Sequence, residues 1–138
     1  EPCPGEPRLW WDGAHNPDGF AALAAAWDRD LGLPPPAAIV LALAQDKDVE
    51  SIARVLAPWA GPAGLVATQS RNPRALPAAE LARRLGAAGL PAEVAPGVEA
   101  AVAAALRGAA DGRVLLCGSL FAVAEAMTEY GGAPGEWL

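Results

Sequence analysis

Five short apolar runs alternate along this chain with stretches of helical periodicity, and no other feature limits its folding as strongly. The runs are RLWW (8–11), AAIVLALA (37–44), GLVAT (64–68), AEVA (92–95) and RVLLC (113–117). Each is strand-sized, and the unbroken apolarity of the second and fifth predicts strands covered on both faces. Helical stripes lie between and after them: Phe20, Leu23, Ala24, Trp27 and Leu31; Val49, Ile52, Ala53 and Leu56; Leu81, Leu85 and Ala88; Val98, Ala101, Val102, Ala105 and Ala109; Leu120, Val123, Ala124 and Met127. Each stripe is expected to face a core. Strand followed by helix, five times over, predicts an α/β domain of three layers: a mostly parallel sheet with helices on both sides. GLPPP (32–36) and GPAG (61–64) read as loops inside that alternation. The tail GGAPGEWL (131–138) has no period and reads as an extension or a last edge strand.

A parallel sheet of this kind binds ligands beyond the carboxyl ends of its strands. Four polar clusters fall there: Asp12 to Asn16, QDKD (45–48), QSRNPR (69–74) and Gly118-Ser119. The opposite ends carry mainly Pro, Gly and Ala. The chain has 138 residues, enough for one domain with one core, and the whole span 1–138 is expected to be that domain. A net charge of −6 with only 10 Lys and Arg argues against a nucleic-acid or anionic-membrane surface, which need basic patches. A small anionic ligand needs only a few placed cations. No apolar run is long enough to span a bilayer and no signal-peptide pattern opens the chain, so a cytoplasmic location is expected. Cys3 and Cys117 then read as reduced thiols, and with a single His they make no zinc set. The chain begins Glu1-Pro2-Cys3 without an initiator Met and is expected to be a fragment of something longer.

Each cluster has a structural reading beside a functional one. Asn16-Pro17 is a sound helix start, Asn as N-cap and Pro at the first helical position, and Gly13 allows a tight exit from the strand. Asp12 and His15 are not required by that turn. Lys47, the only lysine, is either half of a solvated loop ion pair or a compact point charge aimed at a carboxylate or phosphate. Arg71 and Arg74 flank Asn72-Pro73, a rigid turn that suits bidentate carboxylate binding but is equally a surface turn. Gly118-Ser119 offers free backbone N–H groups and a hydroxyl, or simply an N-cap. There is no GxxxxGK[ST] phosphate loop, no GxGxxG and no nucleophile–His–acid triad. From the residues alone the chain is a small-anion-binding α/β domain.

The ordered set DGAHNP (12–17), DKDV (46–49), NPRAL (72–76) and GSLFAVAE (118–125) resembles the C-terminal domain of folylpolyglutamate synthase, many bacterial versions of which also act as dihydrofolate synthase. The resemblance runs from about Leu9 to Met127. More distantly the chain is similar to the C-terminal domains of the Mur ligases of cell-wall synthesis. The resemblance implies a Rossmann-like domain with one antiparallel edge strand. It also implies a larger N-terminal ATPase domain, absent from this chain, that carries the phosphate loop and the magnesium ligands. The chemistry implied is ATP-dependent: a folate or pteroate carboxylate is phosphorylated, and the amine of L-glutamate displaces phosphate from the acyl phosphate.

Carried over position by position, the resemblance gives His15 a catalytic place near the reacting phosphate. It gives Asp12 to the nucleotide, and Lys47, Arg74 and Ser119 to the carboxylates of the incoming glutamate. It implies no metal ligand in this domain, with ATP and Mg2+ belonging to the full-length enzyme, which is expected to be a monomer. The family's nucleotide-binding Arg lies well upstream of this Asp. The chain starts too late to include it, and Arg8 is too close to Asp12 to replace it. That leaves the nucleotide site incomplete, and with no phosphate-cradling loop or magnesium cluster in its sequence the isolated chain is expected to turn nothing over. Two other readings stay open: a peptidoglycan Mur ligase domain with another amino acid and a UDP-linked substrate, and a non-catalytic small-anion or partner-docking module.

Overall fold

The computed structural model describes residues 2, 3, 5–60 and 64–130. Six strands form one sheet: β1 (Pro2–Cys3), β2 (Glu6–Asp12), β3 (Ala38–Leu41), β4 (Gly64–Ala67), β5 (Glu93–Val94) and β6 (Val114–Cys117). Their order across the sheet is β1-β2-β6-β3-β4-β5. The five strands from β2 to β6 run parallel, and β1 pairs antiparallel with β2 at the edge. The antiparallel edge thus comes from the first residues of the chain. The tail 131–138, whose reading was an extension or edge strand, lies outside the described residues.

Among the described residues five α-helices connect and cover the strands: α1 (Pro17–Ala25), α2 (Val49–Ala60), α3 (Ala78–Ala87), α4 (Val98–Gly108) and α5 (Leu120–Tyr130). No helix among the described residues is long and apolar enough to cross a membrane. Successive side chains of a strand point to opposite faces, so each central strand feeds two cores. Ile39, Leu41, Leu65, Ala67, Leu115 and Cys117 pack with Phe20, Ile52, Leu56, Leu81 and Leu85 from α1, α2 and α3. Val40, Val66, Val114 and Leu116 pack with Val98, Ala101, Val102, Val123 and Met127 from α4 and α5. That double demand explains the unbroken apolar runs: AIVL of β3 and VLLC of β6 are buried at every position.

The first helical stripe fails at its end. After α1 the chain widens into a π-helical turn, Ala26–Asp30, which advances fewer degrees per residue than an α-helix. Trp27 stays inside, its indole N–H donating to the Pro34 carbonyl at 2.7 Å and its ring meeting Trp10 and Trp59 edge-on. Leu31, the last member of the expected stripe, is carried out of phase and ends 48% exposed.

Three crossovers (β2–α1–β3, β3–α2–β4, β4–α3–β5) put their helices on one face, and α4 and α5 cover the other. β6 therefore sits between two strands, β2 and β3, whose exits turn to the face opposite its own. The loops part on both sides of β6, and a crevice opens at the carboxyl ends of the sheet.

Candidate functional site

The exit of β2 is built by its own side chains. Asp12 turns back and accepts the Ala14 N–H at 2.8 Å, closing a tight turn. Asn16 is extended, and its side-chain oxygen accepts the Gly19 N–H at 2.7 Å, with Pro17 at the start of α1. His15, exposed between the two, has its Nδ1 at 2.9 Å from the Gly13 carbonyl. A carbonyl only accepts, so Nδ1 carries the proton and Nε2 is left to accept when the ring is neutral and to donate when it is charged.

The exits of β3 and β4 are tied together. Ala44 and Ala75 form an isolated antiparallel bridge, Gln45 N–H donates to the Arg74 carbonyl at 2.8 Å, and Leu76 N–H donates to the Leu43 carbonyl at 2.9 Å. Asn72 shapes the second loop, its side-chain oxygen accepting the Arg74 N–H at 2.9 Å. Asp48, beside Lys47, caps α2: its two carboxylate oxygens take the N–H and hydroxyl of Ser51 at 3.1 and 2.6 Å. Those two bonds hold the Asp48 carboxyl below the usual carboxylate range. Asp48 is thus occupied at the helix start, and among the described residues no carboxylate forms an ion pair with Lys47 or Arg74. The ion-pair reading of Lys47 does not hold for these residues.

The exit of β6 depends on Gly118. Its φ is +104, a region that L side chains rarely adopt, and a methyl group there would overlap the Ala42 carbonyl oxygen. Only glycine lets β6 leave the sheet this close to β3. Cys117, the residue before it, lies opposite Asp12 in the ladder, and burial, with a lesser effect from Asp12, pushes its thiol pKa far up. Ser119 follows, its hydroxyl oxygen accepting the Ala122 N–H at 3.2 Å as the cap of α5. The hydroxyl hydrogen is not used in that bond and is left to donate outward.

These exits enclose a cavity of about 310 Å3, at the small end of ligand sites. His15, Lys47, Arg74 and Ser119, residues from the ends of four different strands, all line it. Asp12 does not; its Oδ1 closes the turn that presents His15. Arg71 is also excluded, because its guanidinium is turned outward onto Glu99 at 2.6 Å. Four lining side chains were not singled out from the sequence. Ser70 and Asn72 stood within the polar cluster QSRNPR with no spacing to mark them, Leu120 was expected to face a core with the α5 stripe and does not, and Phe121 carried no reading of its own. The last two are 67% and 59% exposed at the cavity mouth.

Two unneutralised cations, a hydroxyl donor, and the N-terminal end of α5 converge on one small space, and α2 begins just beyond Lys47. Helix N-termini favour negative charge, so every one of these groups suits a carboxylate or phosphate. Among the described residues Asp46 is the one acidic side chain in the lining, a group that fits an ammonium. A ligand with separated carboxylates and an amine matches that set. Among the described residues no three His, Cys, Asp or Glu side chains gather as a metal site.

The protein family described as "Mur ligase, glutamate ligase domain" matches residues 4–120. No curated protein sequence matches the chain. Among solved structures it is similar to Mycobacterium tuberculosis folylpolyglutamate synthase complexed with ADP, with 27% identity and a TM-score of 0.75 over 89% of this chain and 30% of that one. It is similar to E. coli FolC in complex with DHPP and ADP, with 27% identity and a TM-score of 0.72 over 89% of this chain and 28% of that one. A bifunctional folylpolyglutamate synthase/dihydrofolate synthase with Mn, AMPPNP and L-glutamate bound gives 25% identity and a TM-score of 0.72, over 88% of this chain and 28% of that one. The chain thus spans less than a third of the length of each of these enzymes. With the family matched over most of its length and the fold shared nearly throughout, the chain belongs to the glutamate ligase domains of the Mur ligase family.

Proposed function

We propose that this domain supplies the amino-acid site of an ATP-dependent ligase that adds L-glutamate to folates. The observation that carries the reading is the cavity itself: Lys47 and Arg74, without carboxylate partners among the described residues, face one small space with Ser119 and His15. Relatives solved with ADP and with L-glutamate support it. In the reaction proposed, ATP phosphorylates the folate carboxylate. The glutamate nitrogen then attacks the acyl carbon, the C–N bond forms, and the C–O bond to phosphate breaks with its electron pair leaving on phosphate. The proton shed by nitrogen goes to solvent. The dihydropteroate-to-dihydrofolate reaction uses the same amine and the same step.

This chain's part is to bind and orient. Lys47 and Arg74 hold the glutamate carboxylates, the Arg as a fork and the Lys as a point charge. Ser119 donates its hydroxyl to the same ligand. His15 offers Nε2 to the phosphate that leaves, and Asp12 serves the nucleotide and the turn that carries His15. ATP and Mg2+ are held by a larger companion domain that closes over the cavity, since this chain has neither a phosphate loop nor a metal set among its described residues. We place the enzyme in the cytoplasm as a monomer, and the 138-residue chain alone turns over nothing. The test is steady-state kinetics of the two-domain enzyme with Lys47→Ala: the KM for L-glutamate rises roughly 10–100-fold while kcat is little changed. A wild-type glutamate KM would refute the reading. Steady ATP hydrolysis by the isolated chain, lost on His15→Ala, would refute the division of labour.

A further inference from the structure

The loop after β4 faces two ways. Ser70, Asn72 and Arg74 line the cavity, whereas Arg71 points outward. The second half of the loop is fixed by its bridge to the β3 exit. The first half is fixed from the other face of the sheet, by α5. The main-chain N–H of Arg71 donates to Glu125 Oε2 at 2.7 Å, and its guanidinium reaches Glu99 of α4 at 2.6 Å and the second Glu125 oxygen at 3.9 Å. The guanidinium is 71% exposed, so its ion pairs are weakened by water and salt. The Glu125 side chain is only 15% exposed, and a carboxylate taking a main-chain N–H makes a charge-assisted bond that fixes backbone rather than side chain. Glu125 stands on the same helix that Ser119 opens. One rigid element therefore sets both the hydroxyl and the start of the loop that presents the guanidinium.

We propose that Glu125 is a positioning residue for the amino-acid site: by accepting the Arg71 main-chain N–H it sets the spacing between Ser119 and the Ser70–Asn72–Arg74 wall. It touches no substrate and acts through the loop. The inference rests on the cavity being the glutamate site.

The test compares Glu125→Ala, Glu125→Gln and Lys47→Ala in the two-domain enzyme. Glu125→Ala raises the KM for L-glutamate about 5–20-fold and leaves kcat and the KM for ATP within about twofold, since a displaced wall weakens ground and transition states alike. Glu125→Gln keeps an oxygen for the N–H and returns the glutamate KM to within about threefold of wild type. Amide hydrogen exchange at Arg71 quickens in the Ala variant and not in the Gln variant. A wild-type glutamate KM in Glu125→Ala, with Lys47→Ala raised, overturns the positioning role and leaves the site standing. Wild-type KM in both overturns the site, and the positioning role with it. Equal losses in the Ala and Gln variants, or a fall in kcat and melting temperature with no selective change in glutamate KM, also overturn it.

Discussion

A cavity opens at each rim of the sheet, yet only the one at the carboxyl ends gathers cations. At the amino-terminal ends a cavity of about 640 Å3 opens between β4, β5 and α4, lined by residues such as Ala37, Gly64, Leu90 and Ala104, with Glu93 as the one charged side chain among the described residues. At the carboxyl ends the cavity is half that size, about 310 Å3, and holds His15, Asp46, Lys47 and Arg74. Volume is therefore a poor guide to chemistry here. The strand direction is a better one. Parallel strands send every exit loop to one rim, and the helices that follow begin there with their N–H groups free. The other rim collects helix C-termini, which repel anions.

The contrast is most sharply tested at two glycines with similar backbone angles. Gly118 on the charged rim has φ +104 and no room for a methyl group beside the Ala42 carbonyl. Gly118→Ala should cost about 3 kcal/mol or more, combining backbone strain with a forced shift of β3, and lower the melting temperature by roughly 10 °C. A near-normal melting curve would show that β6 and β3 do not approach as described. Next come the cations. Arg74→Ala in the two-domain enzyme should raise the glutamate KM about 10–100-fold, and His15→Ala should lower kcat over a similar range, with unchanged melting. Glu93→Ala on the opposite rim should change neither; a glutamate effect there would erase the distinction between the rims.

Gly89, on the opposite rim, has φ +91 but nothing within 4 Å of an added methyl. Gly89→Ala should cost only the strain, about 1–2 kcal/mol, so its melting point should fall clearly less than that of Gly118→Ala. The smallest effect belongs to Leu31, already exposed beyond the π turn. Leu31→Ser should leave stability within about 0.5 kcal/mol by denaturant titration. A loss of 2 kcal/mol would return Leu31 to the core stripe.

What the sequence revealed follows from which interactions are local. Strands buried on both faces must be apolar throughout, so β3 and β6 were visible as runs, and loop polarity marked the strand ends. The grouping of His15, Lys47, Arg74 and Ser119 needed only the rule that parallel exits share a rim. The edge strand β1 was hidden, because a Pro-Cys pair has no strand pattern and owes its pairing to β2. The π turn was hidden too, since the packing of Trp27 sets it and no residue spells it. Arg71 and Arg74 were indistinguishable in sequence. They part company because one meets Glu99 and Glu125 from distant helices and the other does not.

The position of β6 also bears on how the chain comes together. Among the described residues β2 has only the two-residue β1 on its other side, and its parallel neighbour β6 is the last of the described strands in chain order. Until residues 114–117 arrive, β2 and β3 have no common partner, and each presents an open edge able to pair with another molecule. Joining residues this far apart carries a large loop-closure cost, so folding should be slow for a chain of this size. Docking of β6 should be the step that turns two separate pieces of sheet into one cooperative unit. The same event completes the crevice, so a nascent chain that has not yet closed its sheet has no anion site to offer.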